Sequence, residues 1–246
     1  MEINLRFAVI SDIHSNLEAL TAVLKDIHER NVDEIICLGD IVGYGPNPNE
    51  CLELIRSNCS VCIKGNHDAA TLESEISDTF NVYARLAIDY TRERLNDENL
   101  SFLESLPLIE TRNNDTFVHS SPYYPDNWLY VFSEYDAMLG FASFDEDCCY
   151  IGHSHIPKVF VENTEKHIFE RNEIEVHFED DNRYIINSGS VGQPRDGDSR
   201  AAYGFIDSGS KVYQLIRVDY DYLTTQEKMR MNSLPEFLIN RLASGN

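Results

Sequence analysis

Long apolar runs are missing from this sequence. Its apolar stretches are short, such as the four residues 35–38, whereas a membrane-spanning helix needs about 20 apolar residues. The N-terminus also lacks the basic region, the long apolar stretch and the small-residue cleavage site of a secretory signal. We therefore expect a cytoplasmic protein with no membrane partner.

Positive charge is scarce as well. The 20 Lys and Arg residues stand against 42 Asp and Glu, which gives a formal net charge of −22. No stripe of Lys or Arg offsets this charge locally, so the field of the protein repels long polyanions. Long nucleic acid is therefore an unfavourable partner, although a short nucleic acid remains open.

Cysteine occurs six times, and Cys59 and Cys62 have the spacing of half a zinc site. The alternative is that the thiols are small buried hydrophobic groups. That alternative is the stronger one, because Cys37 and Cys62 fall in apolar, strand-like runs. We expect no thiolate metal site.

The chain has 246 residues, 42% of them hydrophobic, which is enough apolar material for one substantial core. No repeat, low-complexity tract or flexible linker divides it, so a single domain over 1–246 is the economical interpretation. Strands and helices alternate in the first half, which predicts parallel strands. Strands are predicted at 5–11, 34–38 and 61–64, and helices at 16–30, 48–57, 80–95 and 100–106.

The second half is dominated by short predicted strands, followed by one amphipathic helix at about 225–242. Asp180-Asp181-Asn182 is typical of a hairpin turn. The strands are predicted at 117–118, 149–151, 158–161, 173–178, 183–186, 203–206 and 211–218. A homodimer through these strands or the last helix is compatible with the sequence.

Five short motifs follow predicted strands. They are Asp12-Ile13-His14, Gly39-Asp40, Gly65-Asn66-His67-Asp68, His119 and Gly152-His153-Ser154-His155. In extended backbone, residues two apart point to the same side, so Asp12 and His14 can converge on one ion, and so can His153 and His155. A glycine before three of the motifs lets the backbone turn sharply. Because ligands collect beyond the carboxyl ends of parallel strands, we expect all five motifs to meet at such an edge.

The order of these motifs resembles that of the calcineurin-like metallophosphoesterases: Asp-x-His, Gly-Asp, Gly-Asn-His-Asp/Glu, His, Gly-His-x-His. The match covers at least residues 7–157 and looks most like the small single-domain bacterial phosphoesterases, which also tend to carry a stretch similar to 187–195. The resemblance implies an α/β (α+β) fold, namely a four-layer αββα sandwich of two stacked mixed β-sheets flanked by helices.

By position, the resemblance implies two divalent metal ions. One would be held by Asp12, His14, Asp40 and His155, and the other by Asp40, Asn66, His119 and His153. Asp40 would then bridge the two ions. Imidazole, carboxylate and amide ligands suit Mn²⁺, which we expect first, or Fe or Zn²⁺. His67 is the candidate catalytic residue that protonates the leaving oxygen.

A hydroxide shared by two such ions attacks phosphorus, and the ions offset the charge that develops. The expected function is therefore hydrolysis of a phosphodiester or phosphomonoester, with a small-molecule or nucleotide substrate. Two alternatives are a nuclease acting on short nucleic acids and a metal-binding protein-interaction scaffold on the same fold. The complete ligand set favours catalysis.

The sequence departs from the protein phosphatases of this family at two positions. Those enzymes carry Asp and Arg three and four residues after the bridging Asp, where this chain has Gly43 and Tyr44. The departure argues against a protein phosphatase and leaves His67 without its usual partner. Arg195 is the candidate replacement phosphate clamp, with Arg200 as the second choice.

Several residues keep two interpretations. Asn16 either contacts phosphate or caps the following helix, and Tyr44 either lines the substrate pocket or fills a turn. Asp68 either orients His67 or acts as a cap. The aromatic run at 123–128 either stacks on a ring of the substrate or forms a packed surface loop.

Overall fold

The computed structural model describes residues 4–246, in which the strands form two six-stranded sheets. The first sheet has the order β3-β2-β1-β11-β12-β9. Its strands are β1 Arg6–Ile10, β2 Glu34–Cys37, β3 Val61–Cys62, β9 Glu175–His177, β11 Ala201–Asp207 and β12 Val212–Val218. As predicted, β1, β2 and β3 are parallel, while β11 runs antiparallel to β1.

The second sheet has the order β4-β5-β6-β10-β7-β8. Its strands are β4 Ile109–Arg112, β5 Asp115–Val118, β6 Cys148–Ile151, β7 Lys158–Glu162, β8 Ile168–Arg171 and β10 Arg183–Asn187. Here β5, β6 and β10 are parallel, and the remaining pairs are antiparallel. Both sheets are therefore mixed, as the resemblance implies.

Helices connect the strands and cover the sheets. They are α1 Leu17–Glu29, α2 Pro48–Asn58, α3 Asn66–Leu72, α4 Ser74–Ser77, α5 Val82–Arg92, α6 Asp97–Ser105, α7 Glu134–Phe141, α8 Tyr222–Met231 and α9 Glu236–Ser244. A single 3₁₀ turn at Pro125–Asn127 interrupts the connection between β5 and α7. In the part of the chain that is described, no helix is long and apolar enough to cross a bilayer.

Most of the hydrophobic core lies in three layers, one between the two sheets and one on the outer face of each sheet. Side chains from the facing sides of the two sheets interlock in the middle, where Phe7 meets Tyr150 edge-on with ring centroids 5.7 Å apart. The outer face of the first sheet packs against α1, α2 and α6, and that of the second sheet against α7. This is the four-layer αββα sandwich, and the expected fold class is confirmed.

Two sequence predictions were wrong. The predicted helix at 225–242 is two helices, α8 and α9, separated by a break that contains Ser233 in a left-handed conformation and Pro235. Proline cannot continue a helix from the preceding residues, so the amphipathic pattern resumes in a second segment. The turn at Asp180-Asp181-Asn182 does not close a hairpin, because β9 and β10 belong to different sheets.

Candidate metal centre

The five motifs come together at one place, although they arrive from both sheets. The first three follow β1, β2 and β3 of the first sheet, and the last two follow β5 and β6 of the second. The carboxyl ends of these parallel strands lie side by side because the sheets are stacked. The site therefore lies at the shared end of the sandwich rather than at the edge of one sheet.

The backbone at the site is unusual for residues with side chains. Left-handed φ values between 49° and 68° occur at Asp12, His14, Asp40, His153 and His155. The two residues of the Asp-x-His motif, and those of the His-x-His motif, are therefore brought together by left-handed backbone. Their spacing had suggested extended backbone instead. Left-handed conformations cost free energy and are typical of functional sites.

The glycines that precede the ligands serve close packing more than turning. Gly39 has a left-handed φ of 96°, whereas Gly65 and Gly152 do not. A Cβ atom on Gly65 would overlap Asp40, and one on Gly152 would overlap Ser11. These positions require glycine because the neighbouring loop leaves no space for a Cβ atom.

Asp40 lies between two groups of ligands. Its Oδ1 accepts a hydrogen bond of 2.7 Å from the backbone N–H of His67. Its Oδ2 lies 3.7 Å from Nε2 of His14 and 3.4 Å from Nε2 of His119. Although burial alone raises the pKa of Asp40, nearby His119 and His67 bring that pKa well below its usual value. Asp40 is therefore ionised, with one oxygen directed at both groups.

The first group consists of Asp12, His14, Asp40 and His155, whose ligand atoms all lie within 4.8 Å of one another. The Nδ1 atoms of His14 and His155 lie 3.1 Å and 2.6 Å from the carbonyl oxygens of Val42 and Gln193. A carbonyl only accepts, so we place the proton of each ring on Nδ1. The second nitrogen of each ring, Nε2, is then free to bind a metal.

Those two free Nε2 atoms face each other at 3.1 Å. Burial lowers the pKa of both histidines well below the usual value, so that both rings are neutral and their lone pairs repel. Oδ1 of Asp12 lies 3.3 Å from Nε2 of His155 and has no hydrogen-bond partner although it is buried. One cation can bind the two Nε2 atoms and the Asp12 oxygen at the same time, so these residues fit a metal ion.

The second group consists of Asp40, His119 and His153, and Asn66 joins it. Nδ1 of His119 lies 2.9 Å from the carbonyl of Leu38, which directs Nε2 at Oδ1 of Asn66, 3.2 Å away. In His153 the roles are reversed, because Nε2 lies 2.9 Å from the carbonyl of Trp128 and Nδ1 is left free. This group also fits a metal ion, because a backbone carbonyl orients each of the two imidazoles toward the space between the ligands.

The carboxylates of the site favour a positive charge at His119. Burial lowers the pKa of His119, but the carboxylates of Asp40 and Asp12 outweigh it and raise that pKa to about 9. A proton and a metal ion compete for the same imidazole nitrogen. Among residues 4–246, the clusters with metal-ligand spacing are these two groups, and neither contains a thiol.

His67 lies beside the first group and makes no contact with a carboxylate side chain through Nδ1. Its ring packs against His14, Tyr44 and Phe80, with centroids 4.8, 4.4 and 4.8 Å away. Its Nδ1 is buried without a partner, and a Cβ atom on Gly43 would overlap it. Burial lowers the pKa of His67 to about 4. Gly43 therefore leaves space for the ring and supplies no orienting group.

Asp68 acts as an anchor for the backbone. Its Oδ1 accepts from the N–H groups of Ile41 and Val42, and its Oδ2 accepts from that of Gly65 at 3.0 Å. These bonds tie the start of α3 to the loop that carries Asp40. Of the two interpretations of Asp68, the structure supports the cap.

Arg195 reaches the mouth of the site next to Tyr44. Its Nη2 lies 3.0 Å from Oε1 of Gln193 and 3.5 Å from the hydroxyl of Tyr44. Its Nε is buried without a partner, and no carboxylate in residues 4–246 forms an ion pair with it. Arg200 instead pairs with Asp198 at 2.6 Å. Of the two arginines considered, Arg195 is the one whose charge is available to a phosphate.

Asn16 is engaged within the protein on both ends of its amide. Its Oδ1 accepts from the N–H of Ala19 at the start of α1 and from Thr225, and its Nδ2 donates to the carbonyl of Gly192 at 2.8 Å. This is the helix-capping interpretation. The structure gives no support to a phosphate contact by Asn16.

Tyr130 is a neighbour of the site that the sequence did not reveal. Its ring stacks on His153 with centroids 4.0 Å apart and planes 17° apart. Burial raises the pKa of its hydroxyl, and the positive charge of Arg195 acts against that rise. The aromatic run at 123–128 was the only signal nearby, and Tyr130 lies just beyond it.

Comparison with known proteins agrees with this geometry. The family model of the calcineurin-like phosphoesterases matches residues 5–182. The chain therefore belongs to the calcineurin-like phosphoesterase family, whose members act on phosphate esters, and the resemblance seen in the motifs is confirmed.

Close relatives extend over the whole chain. The protein MJ0912 of Methanocaldococcus jannaschii is 46% identical over 243 residues, covering 97% of each chain. The structure of a metallophosphoesterase from Sphaerobacter thermophilus is 42% identical, covers 99% of this chain and 100% of its own, and has a TM-score of 0.88. Protein PH1004 of Pyrococcus horikoshii OT3, at 20% identity, 98% coverage of each chain and a TM-score of 0.79, shares the fold.

Proposed function

We propose that this protein hydrolyses a small phosphodiester or phosphomonoester with two divalent cations, Mn²⁺ first and Fe or Zn²⁺ as alternatives. The observation that carries the proposal is the facing pair of unprotonated Nε2 atoms in His14 and His155, 3.1 Å apart, beside the shared carboxylate of Asp40. In such a site, two divalent cations supply a deprotonated water near neutral pH and offset charge on the phosphoryl oxygens.

Arg195 and Tyr44 are proposed to hold the phosphoryl group. The Arg195 guanidinium lies next to the hydroxyl of Tyr44 and forms no ion pair with a carboxylate of residues 4–246. Arginine binds phosphate by two parallel hydrogen bonds, which fixes the orientation of the ester as well as its position. The Tyr44 ring packs on both His14 and His67, so the clamp is rigidly joined to the metal ligands.

His67 is proposed to donate a proton to the leaving oxygen. Its imidazole is neutral in the free site, since burial lowers its pKa to about 4. A phosphate ester carries negative charge next to the ring and favours the protonated form. The proton then moves from the imidazolium N–H to the departing alkoxide or phenolate. A good leaving group departs without this help, so the need for His67 depends on the ester.

The substrate is proposed to be small. The net charge of −22 repels long polyanions, and Gly43 and Tyr44 replace the Asp and Arg of the protein phosphatases in the family. Short nucleic acids and nucleotides remain compatible with these features.

Hydrolysis of two chromogenic esters tests the proposal. The protein is stripped of metal with a chelator, refilled with Mn²⁺, and assayed with bis-p-nitrophenyl phosphate and p-nitrophenyl phosphate. We expect turnover only after refilling, and the faster ester identifies a diesterase or a monoesterase. Absence of turnover with either ester, from protein shown to contain Mn²⁺, would contradict the proposal and favour the scaffold alternative.

A further inference from the structure

Exposed apolar side chains are concentrated on one side of the metal site. Fourteen large hydrophobic residues are exposed in the described part of the chain, and six of them fall within the fifteen residues 124–138. They are Tyr124, Leu129, Tyr130, Phe132, Tyr135 and Met138. Exposed apolar side chains next to a metal site are candidates for contact with a ligand or partner. The segment that carries it follows β5 and His119 directly.

The segment is fixed to the metal site rather than free in solvent. The carbonyl of Trp128 accepts a hydrogen bond from Nε2 of His153, and the carbonyl of Leu129 accepts one from the N–H of Ser121 at 3.0 Å. Left-handed backbone at Tyr124 and Trp128 turns the chain at both ends of the 3₁₀ turn. The exposed rings therefore keep a fixed position relative to a metal ligand.

Three rings extend from the metal site toward solvent in nearly parallel planes. Tyr130 stacks on His153 at 4.0 Å and on Phe132 at 4.9 Å, with planes 17° and 14° apart. Tyr130 and Phe132 are 45% and 44% exposed. Tyr130 already stacks on two rings, whereas Phe132 stacks on one among the described residues, so a further ring can stack on Phe132.

We propose that Phe132, supported by its stack on Tyr130, forms a stacking platform for the base of a nucleoside monophosphate unit in the substrate. The proposal rests on the proposed function, because the phosphoryl group must bind at the metal site for the base to reach the platform. A flat base stacks on parallel rings, and one ribose separates that base from its phosphate.

The segment 123–138 offers ring contact and no positive charge, since its charged residues are Asp126, Glu134 and Asp136. The segment 123–138 contains no Lys or Arg, so the base would be held by ring contact and the phosphate by Arg195. Stacking also requires no positive field, which this chain with its net charge of −22 does not offer. A substrate with an aromatic base is thus preferred over a sugar phosphate.

Calorimetric titration of the Mn²⁺-loaded protein with adenosine 5′-monophosphate and with ribose 5-phosphate isolates the base, because the two ligands share the ribose and the phosphate. We expect adenosine 5′-monophosphate to bind at least about ten-fold more tightly, which corresponds to about 1.4 kcal/mol of stacking. Phe132→Ala should remove most of that difference and leave ribose 5-phosphate binding unchanged. Phe132→Trp should retain it. Tyr135→Ala, another exposed aromatic on the same segment, is the matched control and should behave like wild type.

Equal affinity of the wild-type protein for the two ligands would overturn the platform, as would a preference that Phe132→Ala leaves intact. A wild-type dimer that Phe132→Ala dissociates, with no change in ligand preference, would show that a second copy of the chain covers the patch instead. Failure of the proposed function is recognised separately, because the same preparation would then show no Mn²⁺-dependent turnover of bis-p-nitrophenyl phosphate.

Discussion

The backbone N–H of His67 donates a hydrogen bond of 2.7 Å to Oδ1 of Asp40. The same residue thus provides the proposed proton donor through its side chain and orients the shared metal ligand through its main chain. Because Oδ1 is held in this way, Oδ2 is left to face both groups of histidines. The two roles use different atoms, so mutation can separate them.

Replacing the His67 side chain should leave the metals in place. His67→Ala keeps the N–H that orients Asp40, so we expect a wild-type metal content. Turnover should fall by about 10²–10⁴-fold for esters with poor leaving groups, which need the proton, and much less for p-nitrophenyl esters. Metal analysis beside rate constants for a series of aryl and alkyl phosphates measures both effects. Equal losses across the series would remove the proton-donor role.

Gly43→Ala should disturb His67 without touching a metal ligand. The added Cβ would overlap Nδ1 of His67, and the positive φ of 89° adds strain. Gly197→Ala is the matched control, because Gly197 has a φ of 85° but no atom within 4 Å of the added Cβ. Both variants should lose about 1–2 kcal/mol of stability from the backbone alone.

Only Gly43→Ala should also lose turnover with poor leaving groups. Thermal unfolding and the leaving-group series together distinguish the two variants. Full activity of Gly43→Ala would show that the position of His67 does not limit the reaction.

Arg195→Ala should weaken phosphate binding at the mouth of the site. Hydrogen bonds to a charged group are worth about 1.5–3 kcal/mol, so the inhibition constant of inorganic phosphate should rise by about 10- to 100-fold. Arg200→Ala is the control, because Arg200 is already paired with Asp198. Inhibition of p-nitrophenyl ester hydrolysis by phosphate measures the change. Identical inhibition of both variants would show that Arg195 does not bind phosphate.

The sequence predicted the positions of the ligands better than the conformation that brings them together. Apolar strands followed by Asp, His and Asn are visible in the sequence, and all seven candidate ligands lie in one place in the structure. The left-handed backbone at Asp12 and His155 is not visible, because φ depends on the loops that pack around it. Close packing at Gly65 and Gly152 was hidden for the same reason.

Local patterns also failed where tertiary contacts decide. Asp180-Asp181-Asn182 has the composition of a hairpin turn, but the strands on either side of it do not pair with each other. The preceding strand, β9, pairs with β12 in the first sheet, and the following strand, β10, pairs with β6 and β7 in the second. In the last helix, Pro235 outweighs the continuous amphipathic pattern. Tyr130 carried no sequence motif, since its role depends on the position of His153 across the fold.

Counting Mn²⁺ ions per chain by equilibrium dialysis, in wild type and in Asp40→Asn, tests the central claim most directly. Among residues 4–246, Asp40 is the carboxylate that belongs to both groups of candidate ligands, and the surrounding histidines lower its pKa. The account predicts two ions per chain in the wild type and, in Asp40→Asn, the loss of both ions together with essentially all activity. An Asp40→Asn protein that keeps two ions and remains active would contradict it.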